Sequence, residues 1–275
     1  MVQDISKGNE TLLEFERLIE TGSCNPWEGQ LRTGVDLGTA NIVLAVVDEE
    51  NRPVAGATYP STVVRDGIVV DYIGALNAVT RLKDELEARL GTTLEAGACA
   101  IPPGIIEGNV RVIGNVVEGA GFRLTNVVDE PTAAAAVLGI TDGAVVDVGG
   151  GTTGISILKD GKVIFTGDEP TGGTHMTLVL AGFHGWSIQE AEAAKRDPAQ
   201  ESRVYPVVKP VVEKMASIVG RYLKDYPVDE IYVVGGACCF TQFEQTFEKC
   251  LGTPVIKPAA PLLVTPLGIA VNCTL

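Results

Sequence analysis

Two stretches of this 275-residue chain place an aspartate, glycines and threonines in the same order. One is Gly34-Val35-Asp36-Leu37-Gly38-Thr39-Ala40-Asn41. The other is Val145-Val146-Asp147-Val148-Gly149-Gly150-Gly151-Thr152-Thr153-Gly154. Such a turn suits phosphate: its glycines let successive amide N–H groups converge on an anion, and its threonine hydroxyls add donors. One Gly-rich turn after a strand is commonplace. Two related turns imply facing loops that hold a polyphosphate from both sides, each bringing one carboxylate. Mg²⁺ keeps several waters and is held by one or two carboxylates plus phosphate oxygens, so Asp36 and Asp147 suit a grip through its water shell. The competing reading is that each aspartate caps its own turn.

Two further segments could meet a bound ligand. Glu130, in Asp129-Glu130-Pro131-Thr132, stands where a strand gives way to a helix. It either caps that helix, whose first turn favours an acid and a proline, or orients an attacking water, which needs only an acceptor within reach. Gly235-Gly236-Ala237 follows the strand Glu230–Val234 and would let a flat ligand lie against the backbone. His175 and His184 lack metal-ligand spacing and are expected to be structural, and Tyr232 and Trp186 to be packing anchors.

The elements that position these residues follow from periodicity. After each Asp-Gly turn comes an apolar strand, a tight turn and another strand, Ile42–Val47 then a strand to Tyr59, and Ile155–Leu158 then Val163–Gly167. The chain therefore reads as an internal duplication. Between the copies, helices are expected over Leu76–Leu90, about 105–120 and Ala133–Leu138, with strands Ala98–Ile101 and Leu124–Asp129. Beyond the second copy, helices are expected near Met176–Ala181, Ser187–Lys195, Val207–Tyr226 and Gln242–Leu251, and after Pro266. Strands interleaved with helices predict an α/β fold whose sheets are largely parallel apart from the hairpins. Ahead of all this, a helix around Thr11–Glu20 either packs on the domain or is a tethered docking peptide.

Composition limits the partners. With 21 lysines and arginines against 35 aspartates and glutamates, the formal charge is −14. That field opposes nucleic acid and anionic lipid, but a local nest of amides plus a cation still admits a small nucleotide. The six cysteines show no CxxC pair, which suggests reduced thiols in a cytoplasmic protein. No apolar run reaches the roughly 18 residues that span a bilayer, and the first residues do not read as a secretory signal.

Taken in order, these segments resemble the five motifs of the actin, hexokinase and DnaK-like ATPase superfamily, over about residues 33–275. Gly34–Asn41 is similar to the first phosphate motif and Asp129–Gly139 to the first connecting motif of the DnaK chaperones. Asp147–Thr152 resembles the second phosphate motif, Val233–Ala237 the adenosine motif, and Pro261–Val271 the second connecting motif. The resemblance implies two pseudo-duplicated, ribonuclease H-like lobes around a cleft for ATP or ADP with Mg²⁺. Residues 1–32 would be an N-terminal extension, 33–141 plus 262–275 the first lobe and 142–261 the second, with the last helix returning to the first lobe.

Carried over residue by residue, the resemblance implies Asp36 and Asp147 flanking hydrated Mg²⁺, and Glu130 near the attacking water. Gly38, Thr39, Ala40, Asn41, Gly149, Gly150, Gly151, Thr152 and Thr153 would lie around the phosphates, joined by Gly172 and Gly173. Gly235, Gly236 and Ala237 would lie at the adenosine. Glu192 and Lys195 look like the pair that embraces adenosine in DnaK, the alternative being a solvated i,i+3 ion pair. Three departures stand out. Tyr59 leads almost directly to Arg65-Asp66-Gly67-Ile68-Val69-Val70-Asp71, similar to MreB after its extra subdomain, so the large extra subdomain of the first lobe, and with it a phosphate-directed lysine, is missing. Gly154 stands where DnaK has an acid, and Cys239 where it has an arginine.

The stretches 100–104, 146–163, 168–175, 209–215 and 264–270 further resemble the DnaK-like proteins of bacterial ethanolamine utilisation. The implied function is an ATP-binding, slowly hydrolysing, chaperone-type protein acting on an ethanolamine-pathway enzyme or a microcompartment component, with microcompartment association left open. The alternatives are a nucleotide-gated assembly protein like MreB or FtsA and a reactivating factor for a cobalamin-dependent lyase. A small-molecule kinase fits least.

Overall fold

The computed structural model describes residues 3–65 and 67–275; Asp66, within the stretch likened to MreB, and the first two residues of the extension lie outside them. A first five-stranded sheet is built from β1 (Arg32–Leu37), β2 (Asn41–Val47), β3 (Pro53–Pro60), β6 (Ala96–Ile101) and β7 (Arg123–Asp129), in the order β3-β2-β1-β6-β7. The small hairpin β4 (Val64–Arg65) and β5 (Ile68–Val69) stands where the extra subdomain was expected to be missing. The second sheet is built from β8 (Gly143–Val148), β9 (Thr153–Lys159), β10 (Lys162–Glu169), β11 (Ile231–Val234) and β12 (Val255–Ile256), in the order β10-β9-β8-β11-β12. In each sheet the first three strands form antiparallel hairpins and the last two add in parallel. Asp36 and Asp147 occupy the same place, one residue before the end of the central strand, opposite Val43 and Gly154 respectively.

Nine α-helices among the described residues cover the sheets: α1 (Ser6–Thr21), α2 (Tyr72–Leu90), α3 (Glu107–Gly119), α4 (Glu130–Leu138), α5 (Gly173–His184), α6 (Ile188–Arg196), α7 (Glu201–Leu223), α8 (Phe243–Leu251) and α9 (Val264–Val271). Each sheet has its own core. Leu44, Val79, Leu82 and Val116 fill one, and Val146, Met176, Val208 and Phe243 the other. A third core lies between the sheets, where α4 and α9 meet Val43, Ala45, Val145 and Tyr232. Small residues make that layer thin: a Cβ on Gly268 would fall 2.0 Å from the Ala133 carbonyl oxygen, and one on Gly34 2.4 Å from the Ala270 amide nitrogen. The last helix, α9, returns to the first sheet, packing on β1, β2 and β6.

Two expectations need correction. The helix expected over Val207–Tyr226 starts at Glu201 and ends at Leu223, with Pro206 and Pro210 inside it. Each proline removes one backbone donor, yet Val204, Tyr205, Val208 and Val211 present one apolar face to the second core, and that burial outweighs the breaks. The N-terminal helix is longer than expected and is packed, not tethered: Leu12, Phe15 and Leu18 are fully buried against the first sheet and α4. Gln3 donates its amide N–H to Glu230 Oε2 at 3.1 Å and accepts from the Thr141 amide at 2.9 Å, while Asn9 Oδ1 accepts from the Ala259 amide at 2.8 Å. The segment thus ties down both chain crossings between the sheets.

Candidate functional site

The two Asp-Gly turns face each other across a cleft of about 540 Å³, within the range of roughly 300–1,000 Å³ usual for small-ligand sites. It opens at the carboxyl ends of the central strands, where open α/β sheets bind ligands. The loops come close: a Cβ on Gly150 would lie 3.1 Å from Thr39 Cβ and 3.7 Å from Ala40 Cβ. Asp36, Gly38, Thr39, Ala40, Asn41, Glu130, Asp147, Gly149, Gly150, Gly151, Thr152, Gly173, Glu192, Lys195, Gly235, Gly236 and Ala237 all line this cleft.

Thr153 and Gly172 do not line it. Thr153 is buried in β9 and its hydroxyl donates to the Thr171 carbonyl at 2.6 Å, because strand alternation turns it away from the loop. Gly172 sits behind the second loop, where a Cβ would meet the Gly149 and Gly150 carbonyl oxygens at 2.7 Å. There the first amides of α5 take over: Gly173 N donates to Gly149 O at 2.9 Å and Thr174 N to Gly150 O at 2.8 Å. The loop carbonyls are thereby turned onto α5.

Three acids converge at the cleft floor. Asp147 is buried, and its Oδ2 accepts from Thr265 Oγ1 at 2.5 Å, so it does not spend that oxygen on its own turn. Burial still raises its pKa, against the lowering effect of that hydroxyl. Burial, then the nearby Asp147 charge, pushes Asp36 up to about 7. Glu130 is raised well above the carboxylate range by burial, then by Asp147, Asp36, Asp168 and Asp129. The cap of α4 is supplied by Asp129, whose Oδ1 accepts from the Thr132 amide at 3.0 Å, leaving the Glu130 carboxylate to the cleft. Asp129 also accepts from Ser156 Oγ at 3.1 Å, a direct link between the two sheets.

This set of donors fits a hydrated divalent cation. Burial, joined at Asp36 and Glu130 by neighbouring charge, favours protons that a positive charge would release, and among the described residues no group of three or more His, Cys, Asp or Glu is placed to hold an ion by itself. Such a site needs waters and phosphate oxygens to complete it. The neighbouring backbone is equally close: Gly235 has φ +91°, and a Cβ there would lie 2.4 Å from Asp147 Oδ1.

At the other end of the cleft, Lys195 Nζ donates to Glu192 Oε2 at 2.6 Å, Thr177 Oγ1 at 2.8 Å and the Gly173 carbonyl at 3.0 Å. Burial works against the Glu192 carboxylate, but the Lys195 charge and hydrogen bonds from Lys195, Thr177 and Arg196 hold it at about 2. Burial lowers Lys195, which Glu192 partly offsets. The pair is therefore not a solvated surface bridge; it joins α6 to the start of α5. Sequence reasoning missed Thr177 and Thr265, and also Glu201, Phe240 and Thr241, which line the same end of the cleft as Cys239. Glu201 is fixed there by the Thr241 amide at 2.7 Å and hydroxyl at 3.0 Å. Only the i,i+3 and i,i+4 spacing of Thr177 to Gly173 and of Glu192 to Lys195 and Arg196 offered a signal.

Residues 134–264 match the family model of the type IV pilus assembly protein PilM, and residues 56–183 that of the MreB/Mbl protein. The MreB5 protein of Spiroplasma citri bound to AMPPNP superposes with a TM-score of 0.71 at 17% identity, covering 88% of this chain and 95% of that one, which shows a common actin-like ATPase fold. The crystal structure of the ethanolamine utilization protein EutJ from Carboxydothermus hydrogenoformans superposes with a TM-score of 0.93 at 49% identity, covering 98% of this chain and 99% of that one. The ethanolamine utilization protein EutJ of Escherichia coli (strain K12) is 43% identical over 88% of this chain and 86% of its own length. With this identity along nearly the whole length, on the same two-sheet frame, the chain belongs to the EutJ family of ethanolamine utilisation proteins.

Proposed function

We propose that the cleft binds a magnesium-bound adenine nucleotide, ATP or ADP, that the chain hydrolyses ATP slowly, and that closure presents an altered surface to an ethanolamine-pathway enzyme or microcompartment component, as a DnaK-like chaperone does. The observation that carries this reading is the meeting of Asp36, Asp147 and Glu130 between two glycine loops close enough to touch. The AMPPNP complex of the MreB5 protein, which shares the fold, supports it.

In this reading Asp36 and Asp147 hold the hydrated ion, which when bound neutralises phosphate charge. The loop amides, Thr39 and Thr152 hold phosphate oxygens. Glu192 and Lys195 hold the adenosine, against the backbone of Gly235–Ala237. Glu130, once ionised, accepts a hydrogen bond from water and orients it. The missing lysine and the glycine at 154 fit slow turnover. The moving units are residues 33–141 with 262–275, and 142–261, shearing about the α4–α9 layer.

Calorimetric titration with Mg-ATP, Mg-ADP and Mg-GTP tests it. Wild type binds the adenine nucleotides, Asp147→Asn does not, and Glu130→Gln binds but releases no phosphate. Equal binding by Asp147→Asn and wild type removes the ion-bridging role, and unchanged turnover in Glu130→Gln removes the water-orienting one.

A further inference from the structure

Helix α5 is apolar on both sides. Met176, Leu180 and Ala181 are buried in the second core. On the outer side Leu178, Val179 and Phe183 are 53%, 41% and 70% exposed, and Ile188, opening the next helix, is 48% exposed. Val179 and Phe183 are i,i+4 neighbours, as are Leu178 and Gly182, and Gly182 leaves open space where a Cβ would stand. A helix that is hydrophobic all round belongs in an interior, yet the outer side of α5 faces solvent. Side chains of this size, so exposed, make an apolar patch on the order of a few hundred Å², the size at which such patches mark an interaction site.

We propose that this face is a two-fold interface between two copies of the chain. Charge selects the occupant. From Gly173 to His184 there is no Asp, Glu, Lys or Arg, in a chain of formal charge −14. A basic partner drawn by the acidic field would choose an acidic surface, and this face offers it no charge to pair. Two identical acidic chains instead repel least where neutral surfaces meet, and a neutral apolar face is its own complement. A two-fold axis pairs the patch with itself and closes the assembly; doubling the patch and adding its rim approaches the ~1,000 Å² of a specific interface. At that rim His184 stacks on Trp186 with ring centroids 4.1 Å apart, and Arg203 lies 4.7 Å over the Trp186 ring, which makes the C-terminal edge of the face rigid. Because the first amides of α5 hold the Gly149 and Gly150 carbonyls, a partner seated on α5 also braces the second glycine loop.

The test is sedimentation velocity of the full chain over a wide concentration range at low and high salt. The expected result is a monomer–dimer equilibrium that tightens with salt, since salt screens like-charge repulsion between the copies. Phe183→Glu and Leu178→Glu each weaken it by ~30-fold or more, the effect of losing a central apolar anchor, with circular dichroism unchanged because both side chains are exposed. Ile73→Glu, on an exposed apolar residue of α2, leaves it intact. A monomer at every concentration and both salts overturns the proposal. So does a dimer that survives both charged variants, one broken equally by Ile73→Glu, or growth into open-ended polymers.

Discussion

Asp36 and Asp147 are placed by duplication at the same point of matching strands, yet the two carboxylates live differently. Asp147 has a hydroxyl partner from α9 and a glycine, Gly235, pressed against its other oxygen. Asp36 meets burial and the Asp147 charge, and stands at about 7. The difference arises because α9, although it packs on the first sheet, turns its Thr265 hydroxyl to Asp147, and Gly235, just after β11, closes on the same carboxylate. Duplication copies backbone position; the third core between the sheets makes the electrostatics unequal. In the free cleft a hydroxyl works for the Asp147 anion against burial, while burial and the Asp147 charge both favour a proton on Asp36.

The sharpest way to break this contrast is a methyl group. Gly235→Ala puts a Cβ against Asp147 at a positive φ that side chains rarely adopt, so a loss of about 3 kcal/mol or more is expected in urea unfolding. In the first loop, Gly38→Ala strains only its own hairpin, at Asn41 O, and is expected to cost less.

A second comparison is by pH. Asp36 rises from 3.8 to about 7 on folding, so between those values the folded state binds the extra proton. Stability without nucleotide is therefore expected to fall as pH climbs through about 4 to 7, with the raised Asp147 and Glu130 adding to the fall. Asp36→Asn removes the Asp36 share of that slope and stabilises the free protein at pH 8 by about 3 kcal/mol, from roughly 1.4 kcal/mol per pKa unit reduced for partial exposure. Thermal melts of both proteins across this range check it, and parallel curves would remove the Asp36 share.

Thr265→Val attacks the other member of the pair. A buried carboxylate that loses its hydroxyl donor costs about 2 kcal/mol, with Asp147 titrating higher; urea unfolding at pH 8 and carboxylate NMR read the two effects. The smallest effect is expected from Ser156→Ala. It removes one bond to Asp129, which keeps its Thr132 amide, for about 0.5–1 kcal/mol in the same unfolding assay.

Much of this frame was legible in the chain. The repeated Asp-Gly-Thr turns foretold two matching sheets and a cleft between them, because a hairpin following a strand is a local pattern of period two. The cap and the free acid at Asp129-Glu130 were less legible: either residue can cap a helix, and only the Thr132 amide shows which one does. Thr153 and Gly172 belong to the right motifs but face away from the cleft, because one step along a strand reverses a side chain. The helix expected from Val207 starts at Glu201, its apolar face carrying it through Pro206 and Pro210.

By itself the sequence determined the duplicated α/β plan, the identity of the three acids and the glycines that allow backbones to meet, since these depend on residue type and spacing along a few consecutive positions. Only the tertiary structure decided that Thr265 supports Asp147, that Thr177 joins Glu192 and Lys195 to α5, and that the N-terminal segment spans both crossings. Those contacts join residues as much as 118 apart for Asp147 and Thr265, and 250 apart for Asn9 and Ala259. Burial and charge repulsion act through space, so a carboxylate's proton is settled by neighbours that chain order does not reveal.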